Sequence, residues 1–252
     1  MLKSMKYGEM TYEEIRDAAP QGYLAIVPTG CTEQGGPHLT VDYDTWFVEM
    51  VCLAASKKAA DEYGVKSIVL PVMPFGPTTE HKSYGSGYIN IPVEQHEALV
   101  FSVLKSLAEQ DFKRIVIWRG CTAHNLRETV ERFNRDYRRK SRAYLPGFPY
   151  HDIWCRIGDP ANPGGHADAF STSIALYLRP EAVRREKIDN PHSTEVDWND
   201  PDLDFGQYSQ TGVIGDPTTA SAELGRKLWE AVVEEVAGVL GAIAEGKKHS
   251  RL

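Results

Sequence analysis

Four stretches of the chain set residues that bind metals and move protons beside glycines. GCTEQGGPHLTVDYD carries Glu33, His38, Asp42 and Asp44, and TTEHKSYGSGYINIP carries Glu80 and His81. RGCTAHN carries Arg119, Cys121 and His124, and RIGDPANPGGHADAFSTS carries Asp159, His166 and Asp168. Glu, Asp, His and Cys together make a borderline-soft ligand set, suited to Zn²⁺, or to Mn²⁺ where oxygen ligands dominate. An ion of that kind polarises a carbonyl and brings the pKa of a bound water toward neutrality, which is the chemistry of hydrolysis. Imidazole titrates near working pH, so His166 is the expected proton shuttle, with His38 next in line. A lone loop histidine is more often a surface residue than a ligand. The weight therefore rests on four loops meeting, and His96, His151, His192 and His249 read as structural or solvated.

Competing chemistries lack their motifs. There is no G-x-G-x-x-G after the first strand, no G-x-x-x-x-G-K-[ST] and no G-x-S-x-G. The GSG at 85–87 runs into YINIP rather than into a helix start, which argues against a phosphate cradle. A Cys121–His124 nucleophile pair has chemical sense, but it leaves Glu33 and Asp44 without a role.

The elements that must position these loops alternate along the chain. Strands are expected at 23–29, 67–73, 114–118 and near 150–156, and helices at 45–63, 93–110, 125–139, 167–178 and 219–245. That order predicts an α/β fold with a mostly parallel β-sheet flanked by helices. Each of the four stretches follows a predicted strand, and open parallel sheets bind ligands beyond the carboxyl ends of their strands. The helical pattern from Ala167 onward puts His166 at a helix N-terminus, where the dipole disfavours imidazolium. Residues 188–217, rich in Asp, Pro, Gly and Asn, read as a long ordered loop.

Composition bounds the class. The 252 residues are 42% hydrophobic and 25% charged, and one domain spanning 1–252 is expected. Thirty-five acidic against 28 basic residues, net −7, exclude a general nucleic-acid binder. The basic run RDYRRKSR at 135–142 reads as a helix C-terminus extending into solvent. No stretch approaches the ~20 apolar residues of a membrane span, and the N-terminus is too charged for a signal peptide. Four widely spaced cysteines without a C-x-x-C pair read as reduced thiols, so a cytoplasmic location is expected.

The stretches PTGCTEQGGPHLTVDYDT, the EH of TTEHKSYGSGYINIP, GGHADAFSTS and GVIGDPTTASAELGRKL resemble the creatininase (creatinine amidohydrolase) family, over about residues 25–227. The resemblance implies an α/β hydrolase, commonly hexameric, with a two-metal centre at the strand ends. Its members act on cyclic amides, formamides or, in one branch, a ring ketone. This chain departs from the family pattern. Gly35 stands where E-Q-H-G-P-H has its first histidine, Cys121 takes a histidine place and Ala123 a glutamate place. His124 lies one position further on, and Ser171 replaces a glutamate. The lost first-motif histidine and third-motif glutamate hold the same metal in the family. The resemblance thus implies one surviving divalent ion, Zn or Mn, held by Glu33, Asp44 and His124, or by Cys121 in place of His124. Three protein ligands with an open position is the arrangement of a catalytic zinc. His81 and Cys121 are then expected at the substrate. Arg119, in place of the usual asparagine, would suit developing enolate or carboxylate charge. The GCTEQ and RGCxxH forms resemble most the branch that opens a diketo-inositol ring (3-dehydro-scyllo-inosose hydrolase). Ring C–C hydrolysis of a small polar cyclic substrate is accordingly the leading expectation, cyclic amide C–N hydrolysis the alternative, and a non-catalytic small-molecule-binding relative the third. A homo-oligomer, by resemblance a hexamer, is expected, with Trp198, Phe205 and Tyr208 as interface aromatics.

Overall fold

β1 (Leu24–Thr29) reads LAIVPT, and all six residues are buried, as befits a strand covered on both faces. In the computed structural model, which describes residues 4–121, 124–162, 164–190 and 193–252, β1 lies at the centre of a four-stranded sheet. β2 (Ser67–Val69), β3 (Arg114–Arg119) and β4 (Arg142–Tyr144) complete it in the order β2-β1-β3-β4, every pairing parallel.

Alternation along the strands divides the core in two. Ala25, Val27, Ile115 and Ile117 face α1 (Tyr12–Ala18), α3 (Val93–Glu109) and α4 (Arg127–Asp136), meeting Ile15, Val100, Leu104 and Phe133. Leu24, Ile26, Val116 and Trp118 face α2 (Tyr43–Tyr63), α5 (Tyr150–Ile157), α6 (Ala169–Leu178) and α7 (Ala222–Glu245). Phe47 joins that second layer. Its ring stacks on Tyr43 at 5.6 Å and meets Tyr150, Phe170 and Trp229 edge-on, and its burial contributes about 3 kcal/mol.

Two glycines set where α2 begins. A Cβ on Gly30 would lie 2.6 Å from Thr45 Cα, and one on Gly120 would lie 2.8 Å from the Asp44 carbonyl oxygen. Their absence lets the first turn of α2 dock on the ends of β1 and β3. The helix starts at Tyr43 rather than Thr45, so Asp44 stands within that turn, over the strand ends.

The fourth expected strand is a correction. Residues 150–156 belong to helix α5, in which Tyr150, Ile153 and Trp154 form a buried face at helical spacing while His151, Asp152 and Cys155 are exposed. Trp118 Nε1 donates to the Tyr150 hydroxyl at 3.0 Å, tying α5 to β3. The fourth strand is β4, three residues whose Ala143 pairs with Ile115; Arg142 of the basic run is exposed, but it lies in this strand rather than beyond a helix. The helix expected at 125–139 is shorter, ending at Asp136. β2 is shorter as well, since Pro71 has no N–H to give to a ladder.

The position of His166 is a second correction. The N-cap of α6 is Asp168, whose side chain accepts from Ser171 N–H. Ala167 takes φ of 52°, a left-handed conformation that breaks the helix before His166. His166 instead makes an antiparallel bridge with Ile214. Among the described residues no helix is long and apolar enough to cross a membrane.

Candidate metal and active site

The register of β1 and β3 brings the site together. Thr29 pairs with Arg119, so Cys31 and Cys121, each two residues beyond, emerge side by side. Glu33 follows, its N–H donated to the Val41 carbonyl at 3.1 Å, which folds the loop back toward α2. The side-chain ligand atoms of Cys31, Glu33, Asp44 and Cys121 lie within 4.8 Å of one another.

Two histidines flank the carboxylate. His81 stands on a short helical turn, Thr79–Tyr84, with its Nε2 3.5 Å from Glu33 Oε2. His166 comes from the α5–α6 connection, its Nδ1 3.7 Å from Glu33 Oε1. The two rings are 4.8 Å apart and both rest on buried Phe205. Gln34 sets their tautomers. His166 Nε2–H donates to the Gln34 carbonyl at 2.7 Å, which leaves Nδ1 bare toward Glu33. Gly36 N–H donates to Gln34 Oε1 at 2.8 Å, so the Gln34 amide nitrogen, 2.9 Å from His81 Nδ1, is the donor there. The His81 proton then sits on Nε2, a buried atom with no hydrogen-bond partner among the described residues.

Charge is unbalanced in this pocket. Burial, with Glu80 nearby, pushes Glu33 up to about 7, against the hydrogen bond from Asp44. Burial and the charge of Glu33 raise Asp44 well above the usual carboxylate range. Burial holds His81 below its ordinary value and, with His81 beside it, takes His166 down to about 3. Two adjacent buried carboxyls cannot both ionise without a nearby positive charge. A divalent cation supplies it, and the carboxylates and the thiols make a donor set that fits one.

A cavity of about 1210 Å³ opens over this cluster, lined by Glu33, Asp44, His81, Cys121 and His166 together with Trp154, Phe170, Trp198 and Phe205. Three expected site residues lie elsewhere. His38 is fully buried, its Nε2 2.8 Å from Thr172 Oγ1, and it does not line the cavity. Arg119 donates to the His124 carbonyl at 3.0 Å and lies over the Phe148 ring, anchoring a loop rather than facing substrate. His124 groups with Cys31 and Cys121 instead of with Glu33 and Asp44. His96 is buried with its ring 4.5 Å from that of His124, and exposed His151 borders the cavity from α5. Ala123, Pro163 and His192 lie outside the described residues. Sequence reasoning missed Gln34 and Cys31 as site residues. The signal available for Cys31 was its place two residues before Glu33; for Gln34 the residue type carries none.

The loop bearing His166 is pinned by Asp168, which accepts from Gly165 N–H at 2.7 Å and from Ser171 N–H at 3.1 Å. Asp168→Ala is expected to cost about 1–2 kcal/mol, read from chemical denaturation, since it removes a cap and strands two amides. Turnover should fall with it, because His166 loses its support.

The family described as Creatininase, creatinine amidohydrolase, matches residues 8–240. The chain belongs to the creatininase family, a family of metal-dependent hydrolases. It is 27% identical over 236 residues to a mycofactocin precursor peptide peptidase of Mycobacterium tuberculosis, covering 90% of this chain and 87% of that one. It is 25% identical over 260 residues to a creatinine amidohydrolase of Pseudomonas putida, covering 95% and 97%. The solved structure named Creatininase Mn superposes with a TM-score of 0.82 at 20% identity, over 98% of this chain and 100% of that one, and shares the fold.

Proposed function

We propose that this chain hydrolyses an amide C–N bond of a small polar substrate with one divalent ion, zinc or manganese. The observation that carries the reading is Glu33, next to Asp44 and Cys121 and flanked by His81 and His166 under an open cavity. Glu33, Asp44 and Cys121 would hold the ion. The His124 expected as third ligand gives way to Cys121, because Cys121 lies with both carboxylates and His124 does not. When bound, the ion supplies Lewis acidity to a carbonyl and an activated water.

The chain's own groups supply the proton traffic. His166 Nδ1, bare because Nε2–H is committed to the Gln34 carbonyl, takes a proton on the Glu33 side of the cavity. His81 Nε2–H, oriented by the Gln34 amide, donates toward a carbonyl oxygen or a departing nitrogen. Phe205, packed against both rings, keeps water from their far faces.

Amide hydrolysis replaces the ring C–C hydrolysis expected first. The relatives matched over most of the chain are by name an amidohydrolase and a peptidase, and both activities break a C–N bond. A panel of lactams, N-acyl amines, short peptides and inosose-type cyclic ketones tests this. Release of a new amine from a member of the amide group is expected. Turnover of the cyclic ketones alone would overturn the assignment, and no turnover with no retained metal would favour the non-catalytic binder. The reading keeps the chain cytoplasmic, as its free thiols suit, and keeps it a homo-oligomer, by family resemblance a hexamer. Phe205 is withdrawn from the proposed interface, being buried, while Trp198 remains exposed.

A further inference from the structure

Behind the two carboxylates lies a group of ligand atoms of which the proposed amide hydrolysis uses only Cys121. Cys31 Sγ is 3.2 Å from His124 Nε2, and these two atoms and Cys121 Sγ lie within 4.8 Å of one another. All three residues are buried. Each side chain is brought there by the sheet: the parallel register sets Cys31 beside Cys121, and the Arg119 guanidinium holds the His124 carbonyl at 3.0 Å.

The imidazole is turned for coordination. His124 Nδ1 lies 3.3 Å from Thr29 Oγ1, so an Nδ1–H donated to that hydroxyl leaves the Nε2 lone pair facing the thiols. Metal-binding histidines are oriented in this way, by an outer partner on the second ring nitrogen. Gly76 makes room, since a Cβ at that position would collide with the His124 ring. A Cys–His hydrogen bond alone would need one thiol. Here two thiols from two strand ends converge on one imidazole, next to the cavity that Cys121 lines.

We propose that Cys31, Cys121 and His124 form a thiolate–imidazole site for zinc, set behind the ion at Glu33 and Asp44, with Cys121 bordering both positions. Two thiolates and an imidazole select zinc, whereas the carboxylates in front also suit manganese. On binding, each thiol gives its proton to solvent as its sulfur bonds the ion, so Zn²⁺ and two thiolates leave no net charge in the buried site. The site does not depend on which bond the enzyme cleaves; only its placement behind a catalytic ion rests on the proposed function.

Cobalt(II) added to the metal-stripped full chain is the probe, because thiolate-bound cobalt absorbs strongly in the near ultraviolet. The parent protein should show this absorption. Cys31→Ser should remove at least half of it, and His124→Asn should weaken it. Glu33→Gln should lose the ion in front, with any absorption Cys121 gives it, and keep the part of the band that Cys31→Ser removes. Absence of thiolate absorption in the parent, or full absorption in Cys31→Ser, would overturn the proposal. Should Cys31→Ser fail to fold, alkylation of the parent protein decides. Added zinc is expected to protect Cys31 from modification, and equal labelling of Cys31 with and without zinc would overturn the site. An intact thiolate band with no amide turnover would sink the proposed function and leave this one standing.

Discussion

Glu33→Gln is expected to lower turnover by roughly 10³-fold or more and to abolish binding of the catalytic ion. The isosteric amide keeps the volume but loses the anionic oxygen, and metal assistance contributes several kcal/mol at the transition state. A stability signature separates this outcome from simple damage. Because burial pushes Glu33 up to about 7, the metal-free native protein keeps a proton that the unfolded chain releases from about pH 4.5 upward. This residue's contribution to stability is therefore full at low pH and is lost as pH rises toward 7. In Glu33→Gln that decline should disappear, so that above pH 7 the metal-free variant is the more stable of the two. Saturating the parent with metal at about 100 times Kd should add about 2.7 kcal/mol, and the gain should grow with pH over the same window. Thermal denaturation with and without chelator, from pH 5 to 8, reads each of these effects. A variant that keeps its metal and its rate would remove Glu33 from the site.

His166→Asn is the second large effect. Its Nδ1 faces Glu33 while Nε2–H is held by the Gln34 carbonyl, so the ring presents a bare nitrogen to the Glu33 side of the cavity. Asparagine can still donate to that carbonyl but offers no base, so turnover should fall by roughly 10²–10⁴ with metal content and fold unchanged. A rate equal to that of the parent would mean another group moves the proton. That group would be His81, since His38 is occupied by Thr172.

Much of this arrangement was legible before any coordinates. LAIVPT and RIVIW are apolar on both faces and could hardly be anything but central strands. Glu33, Asp44, His81, Cys121 and His166 stood out by residue type beside glycines, and the structure lines one cavity with them. The misreadings have local causes. The aromatic and branched residues of YHDIWCR suggest a strand, yet Tyr150, Ile153 and Trp154 bury one helical face. β4 hides in a basic run because it needs one apolar residue, Ala143, opposite Ile115. His166 was assigned to a helix start because nothing in the sequence announces a left-handed Ala167. The resemblance left the third ligand open between His124 and Cys121, and the strand register favours Cys121. Once Thr29 pairs with Arg119, Cys31 and Cys121 are neighbours, and His124 lies behind them rather than with the carboxylates.

The central claim is that a divalent ion at Glu33 and Asp44 drives amide hydrolysis, and titrating metal back into the stripped protein tests it most directly. Bound zinc or manganese and amine release are followed in the same samples. Activity should be absent in the stripped protein and rise in proportion to the ion that Glu33→Gln cannot bind. Amide hydrolysis at full rate by the stripped protein, or activity that does not follow that ion, would contradict the account.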